Sequence, residues 1–179
     1  MSQSATLYRV SQDSLMQLTS SVDKQPFDIS AMAKGYSIFA GTFMGLAFIL
    51  SKGQNAATAA LVSEIFEPKR SLLRAWYDGL SPEEQMKFWE NDGSLMPYLD
   101  AASVAAIHDI LNNVSEADIK QRYDAQELND NGIYPDVWHN DNSPDLAYNE
   151  RHLVEDFKEL KSIFNNAYHE KDYILVFVG

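Results

Sequence analysis

No cysteine occurs among the 179 residues, and that absence excludes disulfides, thiolate metal sites and cysteine nucleophiles together. Either redox compartment stays open. Cations are scarce too: 14 Lys and Arg stand against 26 Asp and Glu, a formal net charge of −12. Nucleic acid and anionic membrane surfaces need clustered Lys and Arg, so both are excluded as partners and a positively charged partner is favoured. No Gly-x-Ser-x-Gly elbow, phosphate-binding loop, dinucleotide fingerprint or His-Glu-x-x-His helix can be read, so no catalytic residue is assigned and no cofactor is expected. The opening residues, Met1-Ser2-Gln3-Ser4-Ala5-Thr6, lack the basic and apolar regions of a secretory signal, and a cytoplasmic location is expected. The 17 residues from Gly35 to Ser51 carry no charge. A spanning helix needs about 20 apolar residues, and Ser37, Thr42 and three glycines dilute this run, so it reads as a helix buried in the domain.

What is present is enough apolar material, 45% of the chain, to bury a core, and the length suits one domain over 1–179. Thr6 to Val10 alternates as a short strand, and Ser11 caps a helix carrying Leu15, Met16 and Leu18. A polar loop over Thr19 to Asp28 precedes the buried helix, read from Ser30 to Leu50 with a break near Gly41 and a stop at Gly53. Helices follow over Ala56 to Phe66 and Lys69 to Asp78, the latter with Leu72, Leu73 and Trp76 on one face. Ser81-Pro82-Glu83-Glu84 is a capping box, and Asp100 and Ser115 open two more helices. Pro144 leads into a long helix whose Leu153, Phe157, Leu160, Phe164 and Ala167 form an apolar stripe. The last strand, Tyr173 to Val178, is apolar on both faces and belongs inside a sheet, beside the first strand. The fold class is therefore α/β of the α+β type, predominantly helical, with a small sheet that includes the N- and C-terminal strands.

Four stretches carry a family resemblance: Ile133-Tyr134-Pro135-Asp136-Val137-Trp138, the closing strand, Met96-Pro97-Tyr98-Leu99-Asp100 with Val104 and Ile107, and Asp118 to Asp124. In these the chain resembles the YfbM-like family of small bacterial proteins, over residues 5–18 and 94–179. Between them it departs. Where that family has a Trp-x-x-Leu-His pattern, this chain has Phe43 for the tryptophan and Ala47 for the histidine, and the region from Glu64 to Asp92 reads as an insertion. The resemblance implies a domain without an assigned role, and a genetic setting beside polymorphic toxins.

The excess charge is concentrated: Asp124 to Glu159 holds 10 acidic and 2 basic residues. Glu127 to Gly132 imitates half of a calcium loop, but Trp138 stands where the closing glutamate would be, so calcium is rejected. Asp136, His139, Asp141 and Asp145 have the chemistry of hard-cation ligands, yet loop carboxylates are usually just solvated, so they read as an exposed acidic loop and no metal is assigned. Tyr134 and Trp138 read either as core aromatics packing the loop or as interface anchors ringed by acidic residues. The candidate partner-binding set is Tyr134, Asp136, Trp138, His139, Asp141, Asp145, Glu150, Glu155 and Asp156. The function expected is an acidic, non-catalytic binding protein of immunity or antitoxin type that occludes the basic cleft of a protein toxin. The alternative is a small enzyme or ligand-binding protein acting on a nucleotide-like molecule.

Overall fold

A computed structural model describes residues 3–20, 29–73, 80–91 and 95–179. Strand β1 (Ser4–Val10) leads to helix α1 (Gln12–Ser20), whose start is capped by the Ser11 hydroxyl accepting from the Ser14 N–H at 3.1 Å. A short α2 (Ile29–Met32) precedes β2 (Gly35–Ala40), then come α3 (Phe43–Ser51), α4 (Ala56–Ser63) and β3 (Arg70–Leu73). The second half holds α5 (Pro82–Asn91), β4 (Leu95–Leu99), α6 (Ala101–Asn112), α7 (Glu116–Arg122), α8 (Ala125–Asp130), α9 (Glu150–Glu170) and β5 (Tyr173–Val178).

The five strands form an antiparallel sheet in the order β2-β1-β5-β4-β3. The two terminal strands are neighbours as expected, with Leu7 opposite Val176 and Val10 opposite Tyr173. β5 is the middle strand, which is why its apolar run is continuous: Ile174 and Val176 face one core, and Leu175 faces another. The larger core lies beneath α3, α4, α6 and α9 and gathers Leu7, Phe39, Phe43, Leu46, Val104, Phe157 and Phe164. The smaller one packs Leu15 and Leu18 of α1 against Val10, Met96 and Leu175. Of the positions that differ from the family pattern, Phe43 belongs to the larger core and Ala47, partly buried, packs against it.

Two predicted helices are corrected. The run from Ser30 to Leu50 is not one helix: after the short α2 it forms the edge strand β2, and the chain turns at Gly41 (φ +74°) before α3 begins. Alternation decides the matter, because Ser37 and Phe39 are buried while Tyr36, Ile38 and Ala40 are exposed, a period of two that a period of 3.6 cannot produce. The helix expected from Lys69 is instead β3 at the other sheet edge, so the apparent insertion contributes a strand paired with β4. Trp76 and the loop over residues 21–28 lie outside the described residues. Among the described residues, no helix is long and apolar enough to cross a membrane.

Capping signals were reliable. Ser81 and Glu84 exchange their box hydrogen bonds, Ser115 and Asp118 do the same, and Asp100 accepts from the Ser103 N–H at 2.8 Å. The long helix starts later than Pro144 suggests, at Glu150, because Asn149 is its cap. At its far end Lys171 adopts φ +56° and turns the chain into β5. That turn buries Asp172 to 1% exposure. Its carboxylate sits 2.7 Å from the Lys34 Nζ and 3.5 Å from the Arg9 Nε, with Glu170 completing the group at 2.9 Å from Lys34 and 3.4 Å from Arg9. Donating hydrogen bonds to Asp172 and Glu170 raises the Lys34 pKa above its ordinary value, and Lys34 in turn lowers that of Glu170.

Candidate functional site

The loop from Ile133 to Asn149 carries most of the candidate residues, and its shape is set by amides. Asn149 is wholly buried. Its side-chain oxygen accepts from the His152 N–H at 3.2 Å, capping α9, while its NH₂ donates to the carbonyls of Asp141 and Leu146, each at 3.1 Å, and of Ser143 at 3.4 Å. One side chain thus satisfies both a helix start and three carbonyls of the loop backbone. Asn129, at the end of α8, clamps the other side: its oxygen accepts from the Trp138 N–H at 2.8 Å and its NH₂ donates to the Trp138 carbonyl at 3.0 Å. The His139 N–H donates to the Tyr148 carbonyl at 2.9 Å, and the Tyr123 hydroxyl donates to the His139 carbonyl at 2.7 Å. Burial, with the charge of Glu150, pushes the Tyr123 phenol up to about 12.

The nine expected residues separate into five environments. Trp138 is core, 3% exposed, with its indole N–H donating to the Ile133 carbonyl at 2.8 Å and its ring edge against Tyr148 at 6.1 Å. The reading of Trp138 as an interface anchor is corrected on this point, since its ring is covered by α3. Tyr134 is half-buried and its hydroxyl accepts from the Gln3 N–H at 3.0 Å, which ties the loop to the start of β1.

Asp136, His139, Asp141 and Asp145 are exposed. Asp136 adopts φ +61° at the loop tip beside Val137, which is also exposed. The Asp141 carboxylate accepts from the Ser143 N–H at 2.8 Å, a local turn of the kind short acidic side chains favour. Among the described residues none of Asp136, Asp141 and Asp145 is paired with a cation. Nor do three His, Asp or Glu side chains converge anywhere among the described residues as a metal-binding group.

Glu150 and Glu155 sit apart from that rim. They line an open groove of about 350 Å³ between α7 and α9, together with Glu116, Lys120, Arg151 and Lys158. Arg151 pairs with Glu155 at 3.1 Å and Lys158 with Glu116 at 3.2 Å, so the groove is close to neutral. Asp156 faces inward, where the Thr42 hydroxyl donates to its carboxylate. Burial raises its pKa above the ordinary aspartate value, opposed by the Thr42 hydrogen bond. One turn further along α9, Glu159 accepts from the Ser37 hydroxyl at 2.6 Å. The acidic stretch is thus continuous in sequence and divided in space.

Sequence reasoning missed Asn149, Asn129 and Tyr148. Asn149 had a signal, an N-cap residue type ahead of a helical stripe, which Pro144 obscured. Tyr148 had none: it adopts φ +56°, donates its N–H to His152 Nδ1 at 2.9 Å and lays its ring over Gly41, where a Cβ would stand 2.7 Å from its Cε1.

Comparison with known proteins follows the same division between fold and function. The sequence profile of a family described as "Domain of unknown function (DUF1877)" matches residues 80–177, more than half of the chain. No curated protein matches it. Among solved structures, the crystal structure of a protein of unknown function, YfbM from Escherichia coli, is similar with a TM-score of 0.57 and 16% identity, with 100% of each chain covered. At that identity the likeness is one of fold.

Proposed function

Because the chain belongs to the DUF1877 family, whose description assigns no activity, we propose from its surface chemistry that it is a non-catalytic binding protein that docks onto a basic protein surface. The specific reading is an immunity protein or antitoxin acting in the cytoplasm, which neutralises a toxin by covering the basic cleft in which that toxin holds nucleic acid or nucleotide. The carrying observation is the set Asp136, Asp141 and Asp145: three exposed carboxylates without a cation among the described residues, on a loop held by Asn149 and Asn129. A pre-shaped loop loses little entropy on docking, and its charge speeds encounter with a cationic surface. Tyr134, half-buried at the base of the loop, and exposed Val137 at its tip supply apolar contact beside the charges.

The small-enzyme reading has weaker support. The groove between α7 and α9 is large enough for a small ligand, but its charges are largely spent on one another. The hollow beside Ser37 and Glu159 is about 140 Å³, below the size that a nucleotide-like ligand needs.

The experiment is to search the neighbouring genes for a toxin with a basic cleft, whose absence would count against the immunity reading, and to measure its binding kinetics with the wild type and with the triple variant Asp136→Lys, Asp141→Lys, Asp145→Lys. The on-rate should fall by about tenfold or more, and the difference should shrink as salt is raised. An unchanged on-rate would remove the loop as the docking surface. Failure of the wild-type protein to bind or protect would remove the immunity reading itself.

A further inference from the structure

The sheet ends at β2, and the hydrogen-bond parity of that strand is readable. The Gly41 N–H donates to the Gln3 carbonyl at 2.9 Å, in line with a register that sets Ala5 opposite Phe39 and Leu7 opposite Ser37. Residues 35, 37, 39 and 41 therefore direct their backbone groups to β1, and Tyr36, Ile38 and Ala40 direct theirs outward. Among the described residues no strand lies on that side.

Exposed edges are ordinarily guarded by charge, proline, bulges or brevity. The opposite edge, β3, follows this rule: it has four residues and begins with exposed Arg70. β2 has none of these guards. It runs Gly-Tyr-Ser-Ile-Phe-Ala without charge or proline, and its outward-facing side chains Tyr36 and Ile38 are 58% and 54% exposed. They continue an apolar surface of the sheet, with Tyr36 5.8 Å from Tyr8 and Tyr8 5.9 Å from Phe177.

We propose that β2 is a homodimerisation edge, at which two copies of this chain pair antiparallel about a two-fold axis through Ile38 and join their sheets. The occupant follows from parity and charge. Only residues with outward-directed backbone groups can bond across the edge, and the register that uses all three sets Ile38 against Ile38 and Tyr36 against Ala40 of the second copy. Large then faces small, and the arrangement is self-complementary, as a two-fold interface must be. A chain of net charge −12 repels its own kind over most of its surface, whereas the strand β2 itself brings no carboxylate to the contact. The adjacent carboxylate on α9, Glu159, is already held by Ser37, and exposed Ser162 and Asn166 beside it are small enough to leave room for the second α9.

The absence of cysteine makes the test clean. Sedimentation velocity should find the wild-type chain dimeric at high micromolar concentration, and more so as salt rises. Ile38→Lys, at an exposed position, should give a monomer with unchanged circular dichroism and a melting temperature that no longer rises with protein concentration. In the pairing proposed, the two Ile38 Cα atoms lie about 5.5 Å apart, within reach of a disulfide, so Ile38→Cys should cross-link on mild oxidation. Tyr36→Cys should not, because its two copies would be about 14 Å apart, four residues along the strand. A wild-type monomer at every concentration, a dimer that survives Ile38→Lys, or equal cross-linking by both cysteine variants would overturn the proposal. The first outcome would leave the edge to a strand from another protein.

Discussion

Trp138 occupies the space that a side chain at Gly45 would need: a Cβ there would stand 2.4 Å from Cη2 of the indole and 2.5 Å from Cζ2. A loop aromatic is therefore seated in a notch cut into α3 by one missing methyl group. The contact joins the acidic loop to the larger core, so loop shape and fold stability are coupled at this point.

Gly45→Leu should overpack this notch and cost about 1–3 kcal/mol, and Trp138→Ala should leave a cavity costing about 3–5 kcal/mol. The double variant should cost less than the sum, since each change removes the other's difficulty. Urea unfolding of the four proteins measures the coupling. Strict additivity would mean that the two positions do not share space.

Asn149→Asp keeps an N-cap acceptor but loses the amide protons that reach the carbonyls of Asp141, Ser143 and Leu146. It also places a carboxylate against those oxygens. We expect it to destabilise at least as much as Asn149→Ala, about 2 kcal/mol or more, although a cap alone is worth about 1 kcal/mol. Hydrogen exchange of residues 139–148 should rise in both variants. Near wild-type stability for the aspartate would show that the cap, and not the loop, is what Asn149 supports.

Asp156 holds its proton more tightly in the folded protein than in the unfolded chain. Its contribution to stability is therefore fully present below the ordinary aspartate range and is lost as pH rises through its raised folded value. Asp118 and Glu170, with lowered values, act in the opposite sense, and their contributions are lost as pH falls through their folded values. Asp156→Asn, whose amide oxygen still accepts from Thr42, should raise the melting temperature at neutral pH while leaving the acid limb unchanged. A lower melting temperature at pH 7 would mean that the charged carboxylate is the stabilising form.

Asp172→Asn should be among the costliest surface-distant changes. Among the described residues it leaves Arg9, largely buried, with only exposed Glu170 for a carboxylate partner, and removing one member of a buried pair costs on the order of 3–5 kcal/mol. Exposure of Lys34 reduces the share that its bond contributes. Thermal unfolding should show the loss at neutral pH, and Glu170→Gln should cost far less. Equal losses would place the weight of the cluster on the exposed carboxylate.

Local chemistry was legible in the sequence wherever a few adjacent residues settle the outcome. Ser81 with Glu84, Asp100 and Ser115 announced their helices because a cap is satisfied within one turn, and Leu153 to Ala167 announced α9 by its stripe. The apolar run at Tyr173 to Val178 implied a central strand because only a strand covered on both faces can be apolar throughout. Tertiary structure alone decided the rest. Gly35 to Ala40 became a strand because β1 offered it an edge, and its alternation was hidden in a run apolar enough for either form. The acidic stretch looked like one surface, but the turn of α9 sends Asp156 toward Thr42 and sets Glu155 beside Arg151, apart from the exposed loop aspartates. Composition determines how much charge a chain carries, whereas which carboxylates meet solvent depends on contacts between residues more than a hundred positions apart, such as Thr42 with Asp156, and those exist only once the chain has folded.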